Sequence, residues 1–187
     1  AIRYLKSDPV PDESIRKVIE AATKAPSGGN SQPWKFMVIR DPANKAQIAE
    51  YYLRSWEAAY GSQAANQGTL QSHVRLSADH MARNMANAPV LIVACLQHSG
   101  TPRSMAAGSS IYPAVQNLLL AARGIGLGSV ITTLHKRYEE EIKTLLGIPE
   151  NVETAAILPV GYPEDGVTYG PTRRASVDDV TYWERWG

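Results

Sequence analysis

The chain predicts an α+β or α/β sandwich built around one sheet of four or five strands, and three observations carry that reading. Ile15, Val18, Ile19 and Ala22 fall at i, i+3, i+4 and i+7, which is one face of a helix over residues 12–25. The run VLIVACL after Pro89 is apolar without alternation, as a strand covered on both faces would be. Residues 109–124 form a second helical stretch, apolar enough to lie in a core.

The other elements follow in order. Pro11 and Asp12 suit the start of the first helix, and Pro26 stops it. Residues 36–40 read as a short strand, and residues 43–60 and 76–87 as helices. The stretch 60–75 is polar and rich in Gly and Gln, with little pattern. It is a mobile connection or lid, within a candidate lid region of about residues 50–85, or a plain long loop. Pro113 is tolerable near the first turn of the helix at 109–124. Residues 126–133 contain a strand with Val130 and Ile131 at its apolar centre. A short helix at 137–146 ends at Gly147, and a strand at 155–160 stops at Gly161-Tyr162-Pro163. No repeat interrupts this order, and residues 1–187 read as one domain.

Composition narrows the function. With 187 residues the chain can bury a real core. A net charge of +1 gives no basic field for nucleic acid or an anionic membrane. Cys95 is the only cysteine, so no intrachain disulfide can form. Its place inside VLIVACL suits a small buried hydrophobe. No signal-peptide pattern and no apolar run near the ~20 residues of a membrane helix are seen, so a cytoplasmic protein is expected.

Three segments could carry chemistry. The first is APSGGNSQPWKF, residues 25–36, between a helix and a strand. Ser27, Asn30, Ser31 and Gln32 stand beside two glycines and two prolines, offering hydroxyl, amide and bare backbone groups on a stiff frame. That is either a decorated surface turn or a loop facing a flat ligand with polar edges. The second is a set of arginines at the chain ends, Arg3 with Arg173 and Arg174. Guanidinium forks match phosphate oxygens in pairs, although surface arginines are common. The third is GLGSVITT, residues 126–133, ending in Thr132 and Thr133, which are also ordinary strand formers.

Other chemistry finds little support. Gly124, Gly126 and Gly128 imitate part of a dinucleotide fingerprint, but they close a helix and open a strand, the reverse of what that motif requires. The four histidines lack metal-ligand spacing, and there is neither a G-x-S-x-G elbow nor a P-loop.

Taken in order, APSGGNSQPW, AVQNLLLAARGIGLG, the strand end Leu158-Pro-Val-Gly-Tyr162-Pro and the late arginines resemble the nitroreductase family of FMN enzymes. The likeness runs from Arg3 to about Arg174. The family includes flavin-fragmenting and reductive-dehalogenating members, and Thr132 and Thr133 resemble the Thr-rich version found in the iodotyrosine deiodinase-like branch. The resemblance implies an α+β, α/β/α sandwich with a mostly antiparallel sheet, homodimeric, with FMN in interface pockets. It implies cofactor contacts from Arg3, Pro26, Ser27, Gly28, Asn30, Gln32, Thr132, Thr133, Arg173 and Arg174. Arg173 matches the late basic position better than Arg174, which would face solvent. Ala1 stands where the family's N-terminal motif commonly has Ser, so one hydroxyl donor is missing. Gln116 and Asn117 would be structural hydrogen-bonders. The aromatic tail, residues 176–187, would pack on the partner subunit.

The activity so implied is electron transfer from NADH or NADPH, by a ping-pong sequence, to an electron-poor small molecule such as a nitroaromatic or quinone. No protein acid, base or nucleophile is needed, because the flavin carries the chemistry. The alternatives are a reductive dehalogenase or flavin-fragmenting enzyme of the same fold, or a flavin-storage protein without turnover. Ser27→Ala and Arg173→Ala are each expected to weaken FMN retention, read as flavin absorbance left after dialysis. Unchanged retention in both would refute this assignment of the site.

Overall fold

In the computed structural model, residues 1–61, 70–98, 105–170 and 173–186 are described. The first helix, α1 (Asp12–Ala22), opens with Asp12 and Glu13 in its first turn, where carboxylates favour the helix dipole. It leads through the 3₁₀ turn Gly28–Asn30 into β1 (Trp34–Ile39). Next comes α2 (Pro42–Tyr60), with Pro42 in its first turn and the Asp41 carboxylate accepting from the Asn44 N–H at 2.8 Å. Then follow α3 (Leu70–Asn84), β2 (Val90–Gln97), α4 (Met105–Gly124), β3 (Gly128–Ser129), α5 (Glu139–Leu146) and β4 (Val152–Gly161).

The sheet has the order β1-β2-β4-β3, and every pair is antiparallel. β2 shows why VLIVACL is apolar throughout. Val90, Ile92, Ala94 and Leu96 face α1 and α4, in a core with Ile15, Val18, Ile111 and Leu118. Leu91, Val93 and Cys95 face the other way, against Ile48, Tyr52, Trp56 and Met81 of α2 and α3 and Ile142 of α5. Side chains alternate across a strand, so a strand covered on both sides needs apolar residues at both parities. The expected α/β/α sandwich is therefore present, with its sheet at the lower expected strand count.

Several element boundaries move. The helix expected at 76–87 begins at Leu70 and gives way to a 3₁₀ turn at Met85–Asn87. The helix expected from 109 begins at Met105, so Pro113 lies well inside it rather than near its first turn. Met and Ala at 105–107 are strong helix formers and extend it. The strand expected within 126–133 contracts to two residues, followed by an isolated bridge from Thr132 to Ile157. Val130 is buried, whereas Ile131 is exposed. In the candidate lid region, Tyr52, Trp56, Met81 and Ala82 belong to the core, and residues 62–69 lie outside the described ones. Gly147 ends α5 in the left-handed region, φ 64°, as its placement after the helix predicted.

The chain start is built into this frame. The Ile2 N–H donates to the Ser129 carbonyl at 3.0 Å, and the Lys6 N–H to the Tyr162 carbonyl at 2.8 Å. Gly128 has no room for a side chain there. A Cβ would stand 2.7 Å from Ile2 Cγ2 and 2.9 Å from Leu5 Cδ2. Gly128→Ala is expected to push residues 2–5 off β3 and to lower stability by about 1–3 kcal/mol, as overpacking does, read as a lower urea midpoint. A midpoint equal to that of the parent would show that the packing is looser than described.

Candidate functional site

Arg3 follows directly from that anchored strand-like start. Its Nη1 donates to Ser77 Oγ at 3.2 Å, and it lines a small recess with His80, Asn84, Pro159 and Glu164. Burial lowers its pKa, against the opposing influence of Tyr52 and Tyr4. The Ala1 ammonium is also lowered, first by burial and then by repulsion from Arg3, Arg123 and Arg174. The charges of Arg3, of the last turn of α4 and of the late Arg174 are thus all felt at the Ala1 nitrogen. Among the described residues, none of these three arginines forms an ion pair with a carboxylate. A guanidinium withdrawn from solvent without a counter-ion raises the energy of the empty site and favours an anion in it. Arg174 is exposed, as expected, yet its charge is the late one felt at Ala1. Arg173 is exposed as well.

Thr132 is tied to the same region. Its N–H donates to the Ile157 carbonyl at 3.1 Å and its hydroxyl to the same oxygen at 2.8 Å. Tyr52 of α2 feels both Thr132 and Arg3. Burial pushes the Tyr52 hydroxyl up to about 12, with those two contacts opposing the rise. The following residue, Thr133, is exposed and lines a cavity of about 140 Å³ with Gly108, Tyr112, Lys136 and Glu153.

Behind Thr133 lies a buried polar network that the sequence did not reveal. Glu139 Oε1 accepts from the Thr154 N–H at 2.8 Å and the Thr154 hydroxyl at 2.9 Å. Its other oxygen meets Lys136 Nζ at 2.6 Å, and Lys136 also reaches Glu153 at 2.8 Å. Burial alone would raise the Glu139 pKa, but the hydrogen bonds from Lys136 and Thr154 bring it below the usual range. Since Thr154 spends its proton on Glu139, it must accept from His135 Nε2, which lies 3.0 Å away. That fixes the tautomer and leaves buried His135 Nδ1 as an acceptor without a partner. Burial, then the Lys136 charge, lowers the His135 pKa to about 4.

The polar loop at 27–32 is strained and turned outward. Gly29, Asn30 and Gln32 have φ of 58°, 54° and 48°. For Asn this left-handed geometry is tolerable, but for Gln it is uncommon. The loop holds itself together. Ser27 Oγ accepts from the Gln32 N–H at 3.0 Å, and Gln32 Nε2 donates to Asn30 Oδ1 at 3.2 Å. Gly28 N–H leans on Ser110 Oγ of α4 at 3.4 Å. Ser110 lies in the second turn of α4 and Arg123 in its last, and at 1.5 Å per residue the thirteen steps between them span about 20 Å. Tyr52 thus links Arg3 with Thr132, whereas Ser27, Gly28, Asn30 and Gln32 form a separate region, and no hydrogen bond or ion pair among the described residues joins Arg173 or Arg174 to either. Asn117 is structural, as expected, and donates to the Ala21 carbonyl at 3.3 Å.

Arg123, Tyr52 and the Glu139 network were not expected from sequence. Arg123 sits in the last turn of α4, an ordinary place for a cation, so its position gave no cue.

The fold is an antiparallel α/β/α sandwich in which Arg3 and Arg123 meet no carboxylate among the described residues. The chain belongs to the nitroreductase family, whose model matches residues 1–162. It is 32% identical to iodotyrosine deiodinase 1 of Rattus norvegicus over 96% of this chain, and it spans 65% of that protein's length. It is 29% identical to an NADH dehydrogenase of Thermus thermophilus, covering 98% of this chain and 91% of the relative. Among solved structures, an iodotyrosine deiodinase bound to FMN and 3-iodo-L-tyrosine superposes with a TM-score of 0.77 at 31% identity, covering 95% of this chain and 92% of the other. NfrA1 of B. megaterium shares the fold with a TM-score of 0.78 at 20% identity, covering all of this chain and 71% of the other.

Acid should weaken the protein through His135. An unfolded histidine takes its proton near pH 6.5, but the folded one only near 4. Stability therefore falls as pH drops through that window, by roughly 3 kcal/mol in full, and Glu139 adds to the loss once pH falls below its ordinary range. Urea midpoints between pH 7 and 4 should show the fall, and His135→Gln should flatten its upper part. An equally steep fall in His135→Gln would place the acid sensitivity elsewhere.

Proposed function

We propose that this protein is an FMN-dependent oxidoreductase. Bound FMN would supply the redox chemistry, accepting electrons from NADH or NADPH and passing them to an electron-poor small molecule such as a nitroaromatic or quinone. The observation that carries this reading is the match to the nitroreductase family together with the superposition on an FMN-bound iodotyrosine deiodinase, and it is supported by a withdrawn Arg3 that meets no carboxylate among the described residues. A guanidinium so placed fits a phosphate monoester. Arg3 and the late pair Arg173-Arg174 hold the phosphate. Thr132 is fixed by Ile157, and Thr133 offers an exposed hydroxyl toward the ring. A donor there stabilises negative charge that develops on the ring.

Pro26, Ser27, Gly28, Asn30 and Gln32 contact the cofactor from a second copy of the chain. Their separation from Arg3 and Thr132 supports this arrangement. So does the outer face of α4, where Tyr112 and Leu120 are 44% and 56% exposed on a helix otherwise made for a core. The homodimer also gives the tail a place, because Trp183 and Trp186 are 83% and 87% exposed on their own chain.

A second reading is favoured by the similarity to iodotyrosine deiodinases. In that case the acceptor is a halogenated phenol and the product is free halide.

The first experiment is an absorption spectrum of the purified protein, followed by anaerobic addition of NADPH and then NADH. Flavin bands that bleach with either donor are expected. A colourless protein that does not take up added FMN would overturn the reading. A yellow protein that refuses both donors would point to flavin storage or to a separate reductase. Iodide release from 3-iodo-L-tyrosine by the reduced protein, without turnover of nitroaromatics or quinones, would select the deiodinase reading.

A further inference from the structure

We propose that Ser77 of α3 is the positioning residue for Arg3, and that its hydroxyl holds the guanidinium in place for the cofactor phosphate without cancelling its charge. The inference rests on the FMN reading and names the residue that orients one of the phosphate ligands of that reading. Arg3 Nη1 donates to Ser77 Oγ at 3.2 Å, across 74 residues of sequence. Ser77 Oγ in turn donates to the Val74 carbonyl at 2.8 Å. A hydroxyl that gives its one proton to its own helix has only acceptor sites left, so Ser77 faces Arg3 as an acceptor. This contact is one of several along the same helix face, since Ser77, His80 and Asn84 fall at i, i+3 and i+7. The Tyr4 ring centre lies 4.2 Å from that of His80, and Arg3 and Leu5 share a recess with His80 and Asn84. α3 is itself anchored, because Met81 and Ala82 are buried and Trp56 Nε1 of α2 donates to Asp79 Oδ1 at 2.9 Å. The backbone before Arg3 is fixed on β3 through the Ile2 N–H, and the side chain takes its direction from α3.

The neutrality of the acceptor is what points to a ligand. Other arginines of this protein are oriented by carboxylates, Arg40 by Asp12 at 2.8 Å and Arg83 by Asp79 at 3.0 Å. Arg3 is half-buried and forms no ion pair among the described residues. A guanidinium withdrawn only to hold the fold together is best satisfied by a carboxylate, which orients it and neutralises it at once. A hydroxyl orients it and leaves the charge for an anion that arrives later. Ser77 is also short and tied to its own helix, so it holds Arg3 at one place along α3 rather than following it into solvent.

The test compares FMN with riboflavin, which lacks the phosphate, by titrating flavin-free protein and following flavin fluorescence. Parent, Arg3→Ala, Ser77→Ala, Ser77→Thr and Ser77→Asp proteins are compared, each first checked for a cooperative melt. Ser77→Ala is expected to weaken FMN binding about fivefold, the loss of one hydrogen bond that orients a charge, and to leave riboflavin binding unchanged. Ser77→Thr keeps the hydroxyl and should bind FMN as the parent does. Ser77→Asp should weaken FMN binding further, by about thirtyfold, because its carboxylate pairs with Arg3 and repels the phosphate. If Arg3→Ala lowers the FMN-to-riboflavin preference but Ser77→Ala and Ser77→Asp do not, Ser77 has no part in the phosphate site and the inference falls while the function stands. If Arg3→Ala leaves the preference unchanged, the phosphate is held elsewhere, and the inference falls together with the assignment of Arg3. A parent protein that takes up neither flavin overturns the FMN reading and the inference alike. Equal weakening of FMN and riboflavin by Ser77→Ala, or a Ser77→Thr protein as weak as Ser77→Ala, would also overturn the inference, since the hydroxyl would then not be what orients Arg3.

Discussion

Burial of β2 on both faces organises this molecule. A strand with no solvent-facing side cannot be stable under one helical layer, so its residues demand α1 and α4 on one side and α2, α3 and α5 on the other. β4 pairs with β2 along eight residues of the latter and inherits the same condition, with Ile157 and Leu158 fully buried on opposite faces. β4 then sets the position of Thr132 through Ile157, and its end at Gly161 leads into the turn whose Tyr162 carbonyl receives the chain start. The candidate site is thus located at the exit of the most constrained part of the fold. Side chains there inherit the rigidity of the sheet without lying inside it, which suits a site that must hold a cofactor in one orientation.

The same frame tolerates local conflict where it borders the site. Arg3 is withdrawn from solvent without a carboxylate among the described residues, and Asn30 and Gln32 adopt left-handed backbone that most residues avoid. Neither feature helps the isolated chain to fold. Both become favourable when something anionic and flat is bound, since the anion pairs with the withdrawn guanidinium and the open loop presents its N–H and amide groups without rearrangement. Sites where local stability is sacrificed in a chain otherwise consistent with its fold are where binding is expected.

How far the sequence could be read follows from range. Features within one turn or one strand were legible. The helical face of Ile15, Val18, Ile19 and Ala22, the two-sided strand VLIVACL and the stop at Gly147 all rest on local geometry. The shortening of β3 was not legible, because Val130, Ile131, Thr132 and Thr133 all favour strands. Only pairing decides which of them belong to one, and the sheet order leaves β3 at an edge with β4 as its sole neighbour. The polar loop and the end arginines could be listed as candidates, but their grouping depends on packing across more than a hundred residues. Arg123 illustrates the limit best. In sequence it is one more cation at a helix end; only Tyr169, 46 residues later by number, gives it a fixed direction.

The Glu139 network raises the question of why a chain would bury a carboxylate and a histidine beside a half-buried ammonium when apolar packing is generally as stable. The answer lies in what the network holds. Lys136 N–H donates to the Thr133 carbonyl, closing the 3₁₀ turn Leu134–Tyr138, while its ammonium reaches Glu139 and Glu153. Apolar side chains in that place could fill the volume but could slide along β4, whereas Glu139 binds both the N–H and the hydroxyl of Thr154 and so admits one register only. His135 takes the remaining lone pair of that hydroxyl and accepts an unpartnered nitrogen as the consequence. The network therefore trades stability for a single position of the turn, and the residue at the head of that turn is Thr133. A buried histidine of this kind is better explained by positional demand than by proton transfer, since at neutral pH it has neither a charge to give nor an exposed atom to give it from.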